Sequence, residues 1–285
     1  MGKTTIAWTD FTLNFWIGCR EVGPLCGACY ARELDRRYQF GIPQDQATAN
    51  RAAGIAPHWG VGAPRHRTSR ATTGKVRAWN KAAEAAGVPA KVFCNSLSDF
   101  FDNEIDPSWR EDAWADMRAT PWLRWIVLTK RPPNIKKMLP KDWGERGYPN
   151  VGLMASVGDQ DEFERDAPRL LAVPARWHGF SMEPQIGSIL TVPLLKEHRG
   201  SVWAITGGMS RQGYFVPRGY NVMNAYSLVS QRAVLPNLRV FVKQTGAHPY
   251  GGADTISDPR DGAGENPEAW PAWMRVREFP PELLS

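Results

Sequence analysis

The chain has 285 residues with 42% apolar and 22% charged positions, and it contains no run of about 18 apolar residues, which excludes an ordinary membrane-spanning helix. The start, Met1-Gly2-Lys3-Thr4-Thr5-Ile6-Ala7-Trp8, lacks the apolar core of a secretion signal, so a cytoplasmic setting is expected, with thiols reduced. A formal charge of +6 and a pI near 9.2 lean towards an anionic partner, with nucleic acid the obvious one.

Trp8 to Ile17 is aromatic and β-prone and reads as a first strand that ends at Gly18. It delivers the chain into Gly18-Cys19-Arg20-Glu21-Val22-Gly23-Pro24-Leu25-Cys26-Gly27-Ala28-Cys29-Tyr30, which holds three of only four cysteines. The C-x6-C-x2-C spacing, with Gly and Pro in the first gap and Gly in the second, lets a loop fold back so that three sulfurs meet at one point, and that suits a metal centre. A tetrahedral zinc site wants four ligands. The remaining cysteine, Cys94, lies in the apolar run Val92-Phe93-Cys94 and reads as core. An iron–sulfur cluster on Cys19, Cys26 and Cys29, with one iron left open, therefore fits the count better; a disulfide plus one free thiol is the plainer alternative.

After Cys29, the residues Tyr30, Leu34 and Tyr38 recur at helical spacing until Gly41 and Pro43 stop the run. A cysteine loop between a strand and a helix occupies the position of functional loops on the C-terminal face of a parallel β/α barrel. From about 42 to 77 the periodicity is lost, and the stretch reads as an irregular basic insertion. There Arg67 and Arg70 are candidates to hold phosphates and Trp59 offers a stacking face, whereas a solvated surface loop is the bland alternative. His58 and His66 read as loop histidines rather than ligands.

Helices are expected at 78–86, from Asp106-Pro107 onward, and at 162–171 and 222–234. Strands are expected at 91–94, 124–129, 151–157, 177–182, 202–206 and 240–242. Near-continuous apolar strands alternating with helices argue for an α/β fold around a parallel sheet buried on both faces. The whole chain, 1–285, reads as one such domain, with a wrapping tail at about 247–285. The strands end in polar or small residues: Asn95-Ser96 with Asp99, Thr129-Lys130-Arg131, Ser156, Ser181 with Glu183, Thr206-Gly207-Gly208 and Lys243-Gln244. If the strands are parallel these ends share the rim of the cysteine loop, where a barrel keeps its site. Glu183 and Lys243 stand out, since a charge at the end of an apolar strand is costly to bury unpaired, and Glu183 is expected to pair with Lys130 or Arg131 if it is structural.

Seven blocks fall in the order seen in a phage-associated family of radical-SAM-like proteins, which the chain resembles over nearly its whole length. They are Thr5-Ile6-Ala7-Trp8-Thr9-Asp10, Cys26-Gly27-Ala28-Cys29-Tyr30-Ala31, Asn95-Ser96-Leu97-Ser98-Asp99, Leu128-Thr129-Lys130-Arg131, Ser181-Met182-Glu183-Pro184, Gly207-Gly208-Met209-Ser210 and Val242-Lys243-Gln244-Thr245-Gly246. The resemblance implies a partial β/α barrel and a [4Fe–4S] cluster on Cys19, Cys26 and Cys29 that binds S-adenosylmethionine. It implies cofactor contacts from Tyr30, Asn95, Ser96, Ser181, Glu183, Gly207 and Gly208, and catalytic parts for Glu183 and Lys243. Substrate contacts then fall to Lys130, Arg131, Asp99, Gln244, Arg67 and Arg70. It further implies a reductase or flavodoxin-type electron donor and, as one use within phages, isomerisation of N-linked glycinyl-thymidine in DNA to its C-linked form, on a base flipped out of the duplex. The chain departs from the pattern at two points. The commonest radical-SAM loop is C-x3-C-x2-C with an aromatic before its last cysteine, and Met209 stands where relatives often carry Glu. Another radical enzyme that modifies nucleic acid or repairs a pyrimidine lesion, and a zinc-containing nucleic-acid-binding protein without catalysis, are the alternatives.

Overall fold

In the computed structural model the described residues are 2–209, 219–252 and 261–285. Ser210 and the segment 253–260 of the expected tail lie outside them. The chain divides into two compact units, one made of residues 1–144 and 148–151 and the other of residues 145–147 and 152–285.

The first unit is built on three parallel strands. These are β1 (Phe11–Leu13), which is followed by the two-residue β2 (Trp16–Ile17), then β4 (Ala90–Cys94) and β5 (Leu123–Thr129). Leu13 pairs with Cys94, and Cys94 with Val127, so β1 and β4 end level and β5 runs two residues further, to Thr129. Their helices are α1 (Tyr30–Tyr38), α2 (Gln44–Ala52), the short α3 (Arg70–Thr73), α4 (Lys75–Ala86), α5 (Pro107–Arg118) and α6 (Pro132–Met138). Local chemistry sets several of the boundaries. Gly87 in the left-handed region closes α4, and Asp106 accepts the Ser108 N–H (2.9 Å) ahead of Pro107 to open α5. Ala113, Trp114 and Met117 form the buried face of α5.

Two expectations change here. The single strand Trp8–Ile17 is broken, because side chains take over its ladder. Asn95 Oδ1 accepts the Phe15 N–H (2.8 Å), and Asn14 Oδ1 accepts the Leu97 N–H (2.6 Å). Beyond the break, β2 leaves the parallel sheet and pairs antiparallel with β3 (His66–Arg67). The cysteine loop therefore follows β2, not the end of β1. The stretch 42–77, expected to be irregular, contains α2, β3 and α3. Its low hydrophobicity hides that order, since Ala47 and Val76 are the apolar side chains it buries and the rest of its buried set, His58, Arg65, Thr68 and Thr73, is polar.

The second unit carries the parallel order β6 (Val151–Ser156), β7 (Trp177–Met182), β8 (Ser201–Gly207) and β10 (Leu238–Gln244). Its helices are α7 (Gln160–Leu171), α8 (Val192–Leu195) and α9 (Met223–Gln231), and β9 (Tyr220–Asn221) pairs with β11 (Pro249–Tyr250). All six residues of β6 and of β7 are buried, as both-face coverage of a parallel sheet requires. The register of β10 on β8 shifts between Val242 and Gln244, leaving Lys243 as the extra residue of a bulge. The expected α/β class with parallel strands is observed. Among the described residues no helix is long and apolar enough to cross a membrane.

Candidate functional site: a free-thiol loop and its charged seat

Cys19 lies on the C-terminal side of the β1–β4–β5 strands and is fixed by its own backbone. Its N–H donates to His58 O (3.2 Å) and its carbonyl accepts from Gly60 N (2.9 Å), while the neighbouring Gly18 N–H donates to Leu97 O (3.1 Å). Gly18 has φ +108°, and a side chain there would strike the carbonyl of His58, so only glycine permits this approach. Cys26 sits in a single 3-10 turn, Pro24–Cys26, and Cys29 is the N-cap of α1. Cys29 packs with Leu34, Phe40 and Trp59 against Ile17, Ala31 and Leu97. That packing turns Ala31 and Asp35 inward and leaves Tyr30 and Tyr38 exposed, so the periodic tyrosines are not the buried face of the helix.

A buried charged cluster seats Cys19. Arg131 Nη1 donates to Cys19 Sγ (3.3 Å) and lies 3.1 Å from Asp99 Oδ2, while Nη2 donates to Arg20 O (3.1 Å) and lies 3.8 Å from Asp102 Oδ1. Asp99 also accepts from Phe101 N, Thr129 Oγ1 and Lys130 N. Asp102 pairs with Arg65 Nε (2.9 Å), and Arg65 in turn reaches Glu104, which pairs with Arg20. Burial and the negative charge of Asp99 push the Cys19 thiol up to about 11, against the pull of Arg131. Burial works to lower the Arg131 pKa, and Asp99 with Cys19 outweighs it, so the guanidinium is held charged. Among the described residues of this unit, the buried donors without a hydrogen-bond partner include Arg131 Nε, Arg20 Nε and Asn95 Nδ2.

The other expected site residues of this unit are mostly engaged. Tyr30 OH donates to Ser96 O (2.6 Å), and Ser96 Oγ meets Asn14 Nδ2 (3.2 Å). Arg67 is paired with Asp112, and Arg70 with Asp116 (2.8 Å), so neither stands free on a loop. The Lys130 ammonium has no ionic partner among the described residues, and it remains available to an anion. Cys94 is fully buried, and burial holds its thiol well above the usual range, as a core residue should be.

In the second unit, Lys243 Nζ lies 2.8 Å from Glu183 Oε1, and Ser181 Oγ donates to Glu183 Oε2 (3.3 Å). The partner of Glu183 is thus Lys243, not Lys130 or Arg131; the bulge in β10 re-aims the lysine towards it. Gly207 lies against this pair and Gln244: a Cβ there would stand 3.4 Å from Glu183 Oε1 and 3.2 Å from Gln244 Cγ. Gln244 Nε2 donates to Gly208 O (2.7 Å), and a side chain at Gly208 would run into the backbone of Thr245.

The donor set suits an iron–sulfur cluster in its chemistry. All four cysteines are free thiols, three lie on one strand-to-helix loop, and one of these, Cys19, accepts a hydrogen bond from a guanidinium. In placement the set is not assembled. Among the described residues no three His, Cys, Asp or Glu side chains are grouped to hold a metal ion. Sequence reasoning passed over Arg20, Asp35, Arg65, Asp102 and Glu104, and it read His58 as a loop histidine where the structure buries it against Asp35. Most are ordinary charges in the sequence, and only their burial distinguishes them.

Fold and site together define a parallel α/β protein with a free-thiol loop at the C-terminal strand ends of its first unit. The chain belongs to the DUF5131 family, described as a protein of unknown function, which it matches over residues 3–261. No curated protein and no solved structure matches it.

Proposed function

We propose that the protein is a radical S-adenosylmethionine enzyme of the partial β/α-barrel type, with Cys19, Cys26 and Cys29 as ligands of a [4Fe–4S] cluster. The observation that carries this reading is the setting of Cys19, a free thiol on the three-cysteine loop that receives a hydrogen bond from the buried Arg131. The guanidinium hydrogen bond favours a thiolate, here against the burial and the Asp99 charge that push the Cys19 thiol up, and it would tune a bound cluster through its sulfur. When bound, the cluster and S-adenosylmethionine would supply reductive opening of the sulfonium and a hydrogen-abstracting carbon radical, with electrons from a reductase or flavodoxin-type donor.

The remaining work falls to the chain itself. Arg131 offsets charge at Cys19, Asp99 and Asp102 hold Arg131, and Arg20 Nε and Asn95 Nδ2 offer hydrogen bonds to a bound acceptor. Glu183 and Lys243, ion-paired and only partly exposed, are the pair that could hold or move a proton, and Lys130 is the cation left for a substrate anion. With a net charge of +6 the substrate is proposed to be DNA, in which the enzyme converts N-linked glycinyl-thymidine to the C-linked form.

The test is anaerobic incubation of the reduced protein with S-adenosylmethionine and synthetic DNA bearing that base. The expected product has unchanged mass and altered chromatographic mobility, accompanied by 5′-deoxyadenosine if the cofactor is consumed. No conversion would overturn the proposed substrate. A colourless protein that carries zinc and releases no 5′-deoxyadenosine would overturn the class.

A further inference from the structure

Asp35 is fully buried on α1, six residues beyond Cys29, where a carboxylate needs partners. It spends both oxygens on one residue. Oδ2 accepts the His58 backbone N–H (3.0 Å) and Oδ1 accepts from His58 Nδ1 (2.8 Å), which fixes the proton of a neutral His58 on Nδ1. The carbonyl of that same His58 accepts the Cys19 N–H (3.2 Å) and a long bond from Arg65 Nη1 (3.3 Å). One chain of contacts thus runs from the helix capped by Cys29, through Asp35 and His58, to the backbone of Cys19. Two cysteines ten positions apart in sequence are tied together without either sulfur being used.

We propose that Asp35 and His58 are positioning residues for the thiol loop, setting where Cys19 stands relative to Cys29. The inference rests on the proposed function only in taking the three cysteines to act as one ligand set. A pair placed to bury a carboxylate for stability alone has no need to run through the residue that grips Cys19. Partners of this kind behind a ligand set typically change its affinity about 10–100-fold when removed.

The probe is arsenite, whose As(III) takes three thiolates and needs neither iron nor activity; binding to the reduced chain is read from the sulfur-to-arsenic absorption in the ultraviolet. The wild type is expected to bind one equivalent. His58→Leu should weaken binding by about tenfold or more with the far-UV circular dichroism unchanged. His58→Asn, whose side-chain N–H can replace Nδ1–H, should stay within about threefold of wild type. Asp35→Asn, equal in volume, is the second variant if His58→Leu does not fold, with the same expected loss. Wild-type affinity in a folded His58→Leu or Asp35→Asn variant overturns the proposal and leaves the three-thiol reading standing. Failure of the wild type to bind overturns both.

Discussion

Replacing Arg65 by alanine is expected to lower the unfolding free energy by about 3–5 kcal/mol, because it strands a charge that has no route to water. The Arg65 side chain is 1% exposed and that of Asp102 is 0% exposed. Without Arg65, the nearest remaining cation to Asp102 is Arg131, 3.8 Å away and already held by Asp99. The loss extends to Glu104 and to the carbonyls of His58, Gly60 and Ala63, all of which accept from Arg65. Each buried acceptor left without a donor costs about 1–3 kcal/mol where water cannot replace it. The measurement is urea unfolding followed by far-UV circular dichroism. The paired variant Arg65→Leu/Asp102→Leu should recover a good part of the loss, since removing both charges removes the desolvation problem. A loss under about 1 kcal/mol for Arg65→Ala would show that Asp102 is solvated or otherwise paired. The same substitution loosens the seat of Cys19, because the His58 and Gly60 that Arg65 grips are the residues bonded to the Cys19 backbone.

Gly152→Ala should cost about 3 kcal/mol, at the upper end of ordinary overpacking. Gly152 lies in β6 beside Trp177 of β7, whose indole covers it so closely that a methyl group would overlap the ring. Trp177 is itself 2% exposed and packs edge-on against Trp203 with ring centroids 5.8 Å apart, so the indole has nowhere to retreat. A thermal unfolding series of Gly152→Ala, Trp177→Phe and the double variant measures the coupling, and the double variant is expected to be more stable than the sum of the single losses implies. Strict additivity would mean that the alanine is accommodated by a shift of the strand and not by the ring.

The long apolar strands β5 to β8 and the helix starts at Pro107 and Tyr30 were legible in the sequence because each is set by neighbours a few residues away. What the sequence hid depends on partners far along the chain. The break after Leu13 is made by Asn95, 80 residues from the Phe15 N–H it accepts, and the seat of Cys19 by Arg131, 112 residues on. No periodicity records such a contact. Lys243 was legible as a charge ending an apolar strand, whereas its partner was not, because the bulge that turns it towards Glu183 is a fault in pairing between two strands. The cysteines themselves were the clearest signal, and their three thiols are free as a ligand set requires. Their grouping is the part that spacing alone does not decide.

Iron and acid-labile sulfide content after anaerobic purification or reconstitution tests the three-thiol centre most directly. The wild type is expected to be brown, with iron and sulfide in equal amounts, and the variant carrying Cys19→Ala, Cys26→Ala and Cys29→Ala to lose both while keeping its far-UV circular dichroism. A colourless wild type bearing zinc, or a triple variant that keeps its full iron, would contradict the assignment.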